Sequence, residues 1–226
     1  MSKKTENKKT ENPFSNLLGD IPIEPKGDEN PLSTYASVGM ALTSWERLDL
    51  IQCTIFGVLV NSREGSAEAA YGMASSTIAR SEMLIAAAEM IINDRAELLQ
   101  SITRSVKITN QLSSLRNNIA HGIVTGFTSS ITDENGNTNS NSWGHFLIPP
   151  STNTKKRISK EKRIALMAED FFYPPHYANK YAYTSKQIDT IAEAFISHRK
   201  NTIELLLETQ DYCQRKWPIL NMLTSS

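Results

Sequence analysis

The chain has 226 residues, of which 39% are hydrophobic, and its 24 lysines and arginines balance its 24 aspartates and glutamates. That length and apolar content suit one compact domain with extensions. The zero net charge excludes the overall positive field of a general nucleic-acid coat protein, so any contact with RNA must be local.

The cysteines and the termini indicate an intracellular setting. Cys53 and Cys213 stand far apart with no Cys/His spacing around them, which argues against a disulfide framework and against a structural zinc site. No run approaches the roughly 20 apolar residues of a membrane-spanning helix, and the first dozen residues lack the apolar core of a signal peptide. We therefore expect a cytoplasmic protein with no metal, no cofactor and no membrane partner.

The chain divides into a polar tail, one folded domain and a short end segment. Residues 1–32 contain the pentapeptide KKTEN twice and then four prolines in a polar setting, which predicts a disordered tail. The folded domain is expected over residues 33–215. Residues 216–226 are expected to form a C-terminal tail.

Apolar residues recur at three- and four-residue spacing in four stretches, each of which predicts a helix. The predicted helices cover roughly residues 33–59, 66–92, 94–120 and 184–213. Ser33 or Thr34 can cap the first helix, and Thr184 or Ser185 can open the last. The alanine-rich second stretch contains no proline and predicts one long helix. Gly122 follows the third helix, where glycine is a common helix terminator.

The helical pattern is interrupted over residues 123–165. Two β-branched or aromatic runs, IVTGFTSSI and WGHFLI, flank the Asn/Gly-rich stretch DENGNTNSNS, which predicts a β-hairpin. The run KKRISKEKR at 155–163 has six basic residues against one glutamate, a net charge of +5. The predicted fold is therefore all-α, a bundle of four to five helices with a β-hairpin insertion.

The helix predicted over 94–120, called here the motif helix, has one apolar and one polar face. At about 100 degrees per residue, its core stripe gathers Ile108, Leu112, Leu115 and Ile119. The opposite face is polar but nearly uncharged, with Thr109 and Arg116 at its shoulder. Its centre consists of Asn110, Ser113, Ser114, Asn117 and His121. Small hydroxyl and amide side chains around one arginine and one histidine suit a groove or a subunit interface.

One copy of this helix cannot surround a phosphate with both basic side chains. Asn117 and His121 are neighbours four residues apart, but Arg116 lies about 140 degrees from His121 around the helix. A two-fold axis beside the polar face would bring two arginines and two histidines to one cleft. The plainer alternative is that His121 is a helix-terminal cation favoured by the helix dipole and that Arg116 forms a surface salt bridge.

The string Leu-Arg-Asn-Asn-Ile-Ala-His-Gly at 115–122 resembles the Arg-x4-6-His motif of the HEPN superfamily. Asn117 stands where that family often has a polar residue. An early Trp45-Glu46 pair and a Tyr-x-Tyr-Thr entry into the last helix extend the resemblance over about residues 34–212. The chain departs from it at Ile123, where the toxins of HEPN and nucleotidyltransferase pairs carry a tyrosine.

The resemblance implies a HEPN-like bundle that acts as a metal-independent endoribonuclease on single-stranded RNA. In a homodimer, one His121 would remove the proton of the ribose 2′-OH while the second protonates the leaving 5′-oxygen, and a 2′,3′-cyclic phosphate would result. Arg116 would hold the scissile phosphate and Asn117 would orient His121 or the phosphate.

The implied biological role is that of a toxin or an anti-phage defence effector with a cognate antitoxin or defence-system partner. The alternative is a non-catalytic module that forms dimers or binds RNA or a protein.

Several charged residues outside the motif have two interpretations each. Glu46, Arg47 and Asp49 either form a solvated face or brace something basic elsewhere in the fold. His176 and His198 have no ligand or nucleophile at useful spacing, so we expect them to be structural or exposed.

The insertion also offers two sets of candidate RNA contacts. Lys155, Lys156 and Arg157 either guide an RNA backbone or belong to a solvated surface. Trp143 and His145 either stack on a base or pack the hairpin against the bundle.

Overall fold

A computed structural model describes residues 26–62, 65–132, 135–150 and 182–224. In these ranges the helices are α1 (Pro31–Leu59), α2 (Ser66–Met73), α3 (Thr77–Ile91), α4 (Ala96–Ala120) and α5 (Ser185–Thr224), and the strands are β1 (Ile123–Thr132) and β2 (Thr138–Ile148). The strands pair antiparallel into one hairpin. The described chain is thus predominantly helical with a β-hairpin after the motif helix, as the sequence predicts. Most of the predicted N-terminal tail and the whole basic run at 155–163 lie outside the described residues.

The first helix begins before the predicted serine or threonine cap. Asn30 is its N-cap and accepts a hydrogen bond from the Leu32 amide at 2.9 Å, and Pro31 occupies the first helical position. Just before it, the Gly27 amide donates to the Trp143 carbonyl, and Asp28 exchanges two backbone hydrogen bonds with His145. Residues 26–32 therefore belong to the fold, which corrects the expectation that the tail extends to residue 32.

The prediction of one long helix over 66–92 is wrong. The chain leaves helical geometry at Ala74, whose φ and ψ are −67° and 118°, and α3 starts after Ser76. The Ser76 side chain accepts a hydrogen bond from the Ala79 amide at 3.1 Å. A serine cap at this point provides a new helix start that the high propensity of the alanines does not override.

The last helix opens as predicted and ends later than predicted. The Thr184 amide donates to Gln187 Oε1 at 2.9 Å, and the Gln187 amide donates back to Thr184 Oγ1 at 3.4 Å, which is a capping box. The helix continues to Thr224 instead of ending near Cys213. Residues 216–224, which were expected to lie in a tail, are therefore helical.

The buried apolar residues form two main clusters along the bundle. The motif-end cluster consists of Ala41, Trp45, Leu48, Leu112, Leu115, Ile119, Leu147, Ile188, Ile191, Ala192 and Phe195. The far-end cluster contains the other halves of the long helices together with α2 and α3, and its members on α1, α4 and α5 include Cys53, Leu59, Ile102, Val106, Leu205 and Cys213. The predicted core stripe of the motif helix is confirmed, whereas Thr109, expected at the shoulder of its polar face, is fully buried.

The hairpin is attached to the bundle at the end of the motif helix. β2 carries one extra residue, Trp143, opposite the step from Phe127 to Thr128, and the following Gly144 has a φ of +89°. On its outer edge β2 pairs with Asp28 and with Tyr183, which exchanges two backbone hydrogen bonds with Leu147.

Gly122 connects α4 to β1 for a reason that differs from the prediction. It does not have the left-handed conformation of a helix-terminating glycine. A Cβ atom at this position would instead lie 2.8 Å from the Leu147 side chain and 2.9 Å from the Asn118 carbonyl. The residue must be glycine because β2 approaches the end of the motif helix closely.

One carboxylate joins the starts of the first and last helices. Asp28 Oδ2 accepts hydrogen bonds from Thr34 Oγ1 at 2.5 Å and from the Ser185 amide at 2.8 Å, and its Oδ1 accepts from Ser185 Oγ at 2.6 Å. The acid thus satisfies a free amide at the N-terminus of α5, where a negative charge is favoured. None of the helices in the described ranges combines the length and apolar character needed to cross a membrane.

Candidate functional site

The Arg-x4-His segment lies on the last turn of α4, as the sequence predicts. His121 is the C-cap residue, and its amide donates to the Asn117 carbonyl at 3.2 Å. The hairpin begins two residues later and Gly122 is pressed against it. The segment is therefore held from both sides, by the helix before it and by the strand after it.

Arg116 lies between α4 and α1 with its guanidinium only lightly engaged. Its Nη1 donates to Asn117 Oδ1 and its Nη2 donates to Glu46 Oε1, both at 3.3 Å, which is long for a charge-assisted hydrogen bond. Its Nε is buried and has no hydrogen-bond partner among the described residues. The side chain is 30% exposed, so the guanidinium can be reached by an anion from solvent.

His121 lies on a different side of the helix from Arg116. It is exposed, and its imidazole ring makes no hydrogen bond or ion pair with the other described residues. The structure therefore joins Arg116 and Asn117 by a hydrogen bond but joins the His121 ring to neither, and Arg116 and His121 are about 140 degrees apart around a regular helix. A single copy presents an arginine and a histidine that do not converge.

The acidic residues of α1 form part of the surroundings of Arg116. Of the three charged residues for which the sequence left two interpretations open, Glu46 pairs with Arg116 and Asp49 pairs with Arg80 at 2.6 Å, while Arg47 is exposed. Burial raises the pKa of Asp49, and the positive charges of Arg80 and Arg116 act in the opposite direction. Both acids therefore brace basic residues, which answers the open question.

Asn118, which also lies between Arg116 and His121, was not among the site residues predicted from the sequence. Its Nδ2 donates to the Tyr183 hydroxyl at 3.3 Å, on the flank of α4 that faces the entry to α5. Burial raises the pKa of Tyr183, so its hydroxyl stays protonated. The resemblance already contained the Tyr-x-Tyr-Thr entry, but only the fold shows that its second tyrosine reaches the motif.

Of the candidate RNA contacts in the insertion, Trp143 and His145 lie among the described residues. Lys155, Lys156 and Arg157 lie outside them. Trp143 is half-buried and its carbonyl accepts from Gly27, while His145 Nδ1 lies 3.2 Å from the Asp28 carbonyl. Both residues thus take part in attaching the hairpin, which favours the packing interpretation.

The remaining histidines and the metal-binding residue types add no second centre to the described chain. His198 is buried in the bundle, as a structural histidine would be, and His176 falls outside the described residues. Within the described ranges there is no group of three or more His, Cys, Asp or Glu side chains arranged to hold a metal ion. Both cysteines are buried, and burial raises their pKa values, which makes them poor nucleophiles.

Comparison with models of known protein families, with curated proteins and with solved structures gives no match to this chain.

Proposed function

We propose that this chain is a metal-independent endoribonuclease of the HEPN type, which cleaves single-stranded RNA at a site completed by a second copy of itself. The observation that carries the proposal is the end of α4. An exposed histidine whose ring makes no hydrogen bond to the other described residues follows five positions after a lightly held arginine. The resemblance of residues 115–122 to the Arg-x4-6-His motif supports the same assignment.

The chemistry follows from the types of side chain at this helix end. One His121 takes the proton of the ribose 2′-OH, whose oxygen attacks the adjacent phosphorus and expels the 5′-oxygen of the next nucleotide. The second copy's His121 gives its proton to that leaving oxygen. The products are a 2′,3′-cyclic phosphate and a free 5′-hydroxyl, and DNA is bound without being cut because it lacks the nucleophile.

Arg116 supplies the positive charge for the phosphate. A guanidinium can donate two hydrogen bonds to the phosphate oxygens, and it stabilises the extra negative charge of the transition state. Asn117 accepts a hydrogen bond from the guanidinium and helps to orient it. Glu46 occupies one nitrogen of Arg116 in the free chain, so the phosphate must displace this carboxylate or share the guanidinium with it.

The separation of Arg116 and His121 within one copy supports dimerisation through the motif helix. The centre of the polar face is small and uncharged, and among its residues Ser114 and His121 are exposed while Asn117 and Ser113 are half-buried. Two such faces related by a two-fold axis place an arginine and a histidine from each copy around one cleft. A toxin or defence effector restrained by a partner protein is the role that such an activity suits.

A non-catalytic module that forms dimers or binds RNA or a protein is the second candidate. The Glu46–Arg116 salt bridge favours it, because an arginine paired within its own chain can serve the fold alone.

The deciding experiment is incubation of total RNA in EDTA with the wild type and with the variants His121→Ala and Gln111→Ala. Gln111 is an exposed residue on the same helix and serves as the control. We expect cleavage with cyclic phosphate ends from the wild type and from Gln111→Ala, and none from His121→Ala. Light scattering on the same samples checks that all three form the same oligomer. Intact RNA from a dimeric wild type would select the non-catalytic module.

A further inference from the structure

Polar side chains from three helices meet in one layer in the middle of the core. Gln52 on α1, Thr109 on α4 and His198 on α5 are 2%, 0% and 6% exposed, and Thr202 on α5 is buried beside them. Buried polar groups are costly unless they are hydrogen-bonded, so four of them at one level call for an explanation.

The layer separates the two apolar clusters on each of the three long helices. On α1, Gln52 stands between Leu48 of the motif-end cluster and Cys53 of the far-end cluster. On α4, Thr109 stands between Val106 and Leu112 of the same two clusters. His198 likewise lies between Phe195 and Leu205 on α5. The bundle is therefore two apolar blocks joined through one polar plane, which we call the polar layer.

The hydrogen bonds of the polar layer fix the form of the histidine. Gln52 Nε2 donates to Thr109 Oγ1 at 2.6 Å, and His198 Nε2 lies 3.0 Å from that oxygen and 3.1 Å from the Ser105 carbonyl. A carbonyl oxygen only accepts hydrogen bonds, so Nε2 carries the hydrogen. Thr202 Oγ1 donates to the His198 carbonyl at 2.8 Å. A neutral His198 ring therefore satisfies the hydrogen bonds of the layer, and an added proton must bind to its Nδ1.

Within the described ranges, no charged side chain compensates for that added proton. The groups hydrogen-bonded to the ring are the Thr109 hydroxyl and the Ser105 carbonyl, both from α4. The Gln52 amide from α1 reaches that hydroxyl, and the Thr202 hydroxyl from α5 bonds the backbone carbonyl of His198. Burial lowers the pKa of His198, and the Ser105 carbonyl acts weakly against it; no charged side chain contributes. The charged residues nearest to the layer along these helices are Asp49, Arg104, Lys107, Arg199 and Lys200, and none of them contributes to the shift in the pKa of His198.

We propose that the polar layer is a proton-operated seam: protonation of His198 places an uncompensated charge between the two apolar blocks and releases α5 from α4 and α1. The seam is independent of the ribonuclease proposal, since it rests on buried contacts remote from Arg116 and His121. It gives the protein a device by which acidification weakens the contacts of α5 with α4 and α1, starting at the level of the polar layer.

The sign of the pH dependence follows from linkage. His198 takes up a proton more readily in the unfolded chain than in the folded one, so folding is favoured above the ordinary histidine pKa of 6.5 and weakened as the pH falls below it. One proton changes the unfolding equilibrium constant by at most about tenfold per pH unit.

Urea unfolding of the wild type, His198→Gln and His121→Gln between pH 7.5 and pH 5 tests the seam. We expect the unfolding constant of the wild type and of His121→Gln to rise more steeply below pH 6.5 than that of His198→Gln, by up to about tenfold per pH unit. His121 is exposed, so its replacement removes a histidine without touching the layer. Equal slopes for all three proteins would overturn the proposal.

A second measurement uses only the wild type and therefore holds even if His198→Gln does not fold. The imidazole signals of the four histidines are followed by NMR during a pH titration. We expect one of them to titrate below 6.5 together with the onset of amide exchange in α5. Titration of His198 at or above 6.5, or α5 amides that remain protected when it titrates, would contradict the seam.

Discussion

Arg116 and Glu46 form a salt bridge between α4 and α1 in which the Nη2 to Oε1 distance is 3.3 Å and 61% of the glutamate side chain is exposed. A pair this open to solvent contributes about 1 kcal/mol or less to folding. The carboxylate is therefore a weakly bound neighbour of the guanidinium, and an RNA phosphate can exchange with it.

Replacement of Glu46 by glutamine should strengthen RNA binding. Removal of the competing charge is expected to lower the Kd for a single-stranded RNA about two- to fivefold, since the competing pair is worth less than about 1 kcal/mol. Fluorescence anisotropy is the measurement, with His121→Ala present in both proteins to prevent cleavage. Glu97→Gln, an exposed acid at the other end of α4, is the control. Weaker binding by Glu46→Gln would show that the glutamate positions the arginine for the phosphate.

Mixtures of wild type and His121→Ala test whether one cleavage event uses two copies. If both histidines of a dimer are required, activity follows the square of the wild-type fraction after subunit exchange, roughly one quarter at equal amounts. If each copy acts alone, the same mixture retains roughly half of the activity. Cleavage rates of pre-equilibrated mixtures at constant total protein distinguish the two curves, and albumin in place of the variant controls for dilution.

The Asp28 carboxylate should be worth more to stability than its position near the N-terminus suggests. Replacement by alanine removes three accepted hydrogen bonds and leaves the Ser185 amide without a side-chain acceptor, so we expect the free energy of unfolding to fall by about 2 kcal/mol. Urea unfolding is the measurement. Glu29→Ala removes the neighbouring, exposed carboxylate and should change stability by less than about 0.5 kcal/mol. Equal losses of stability in the two variants would mean that the hydrogen bonds of Asp28 do not stabilise the fold.

Two glycine-to-alanine substitutions should have opposite signs. Gly122→Ala forces a Cβ to within 2.8 Å of Leu147 and is expected to destabilise the fold by about 1–3 kcal/mol. Gly39→Ala lies inside α1, where a Cβ meets nothing within 4 Å, and should stabilise it by about 0.5–1 kcal/mol. Thermal unfolding of both variants provides the comparison. A tolerated Gly122→Ala would contradict the close approach of β2 to the motif helix.

The features that sequence predicted correctly are those with a local physical cause. The spacing of apolar residues predicts the helix that carries Arg116 and His121, and two β-prone runs around an Asn/Gly turn predict the hairpin. The capping box at Thr184 and Gln187 likewise depends on residues three apart. The break at Ser76 was also local, but its single serine cap was outweighed in the prediction by the alanines on both sides.

The features that sequence missed depend on contacts between distant segments. Thr109 lies on the polar shoulder of an isolated helix, yet it is buried because α4 meets Gln52 of α1 and His198 of α5 at that level. The sequence allowed a surface salt bridge for Arg116 and a basic partner for Glu46, but it did not connect the two residues. The role of Asp28 was hidden for the same reason, since nothing nearby in sequence shows that it meets Ser185.

The joining of the first and last helices has a consequence for the order in which the chain folds. Asp28 and Ser185 are 157 positions apart, and α1 packs along α5 more extensively than along any other helix in the described ranges. During synthesis on a ribosome, α1 is made early, but the part of its apolar surface that packs on α5 stays uncovered until that helix has emerged. Contacts of such long sequence separation slow folding and prolong the exposure of apolar surface. The helix that is made first is therefore expected to complete its packing last.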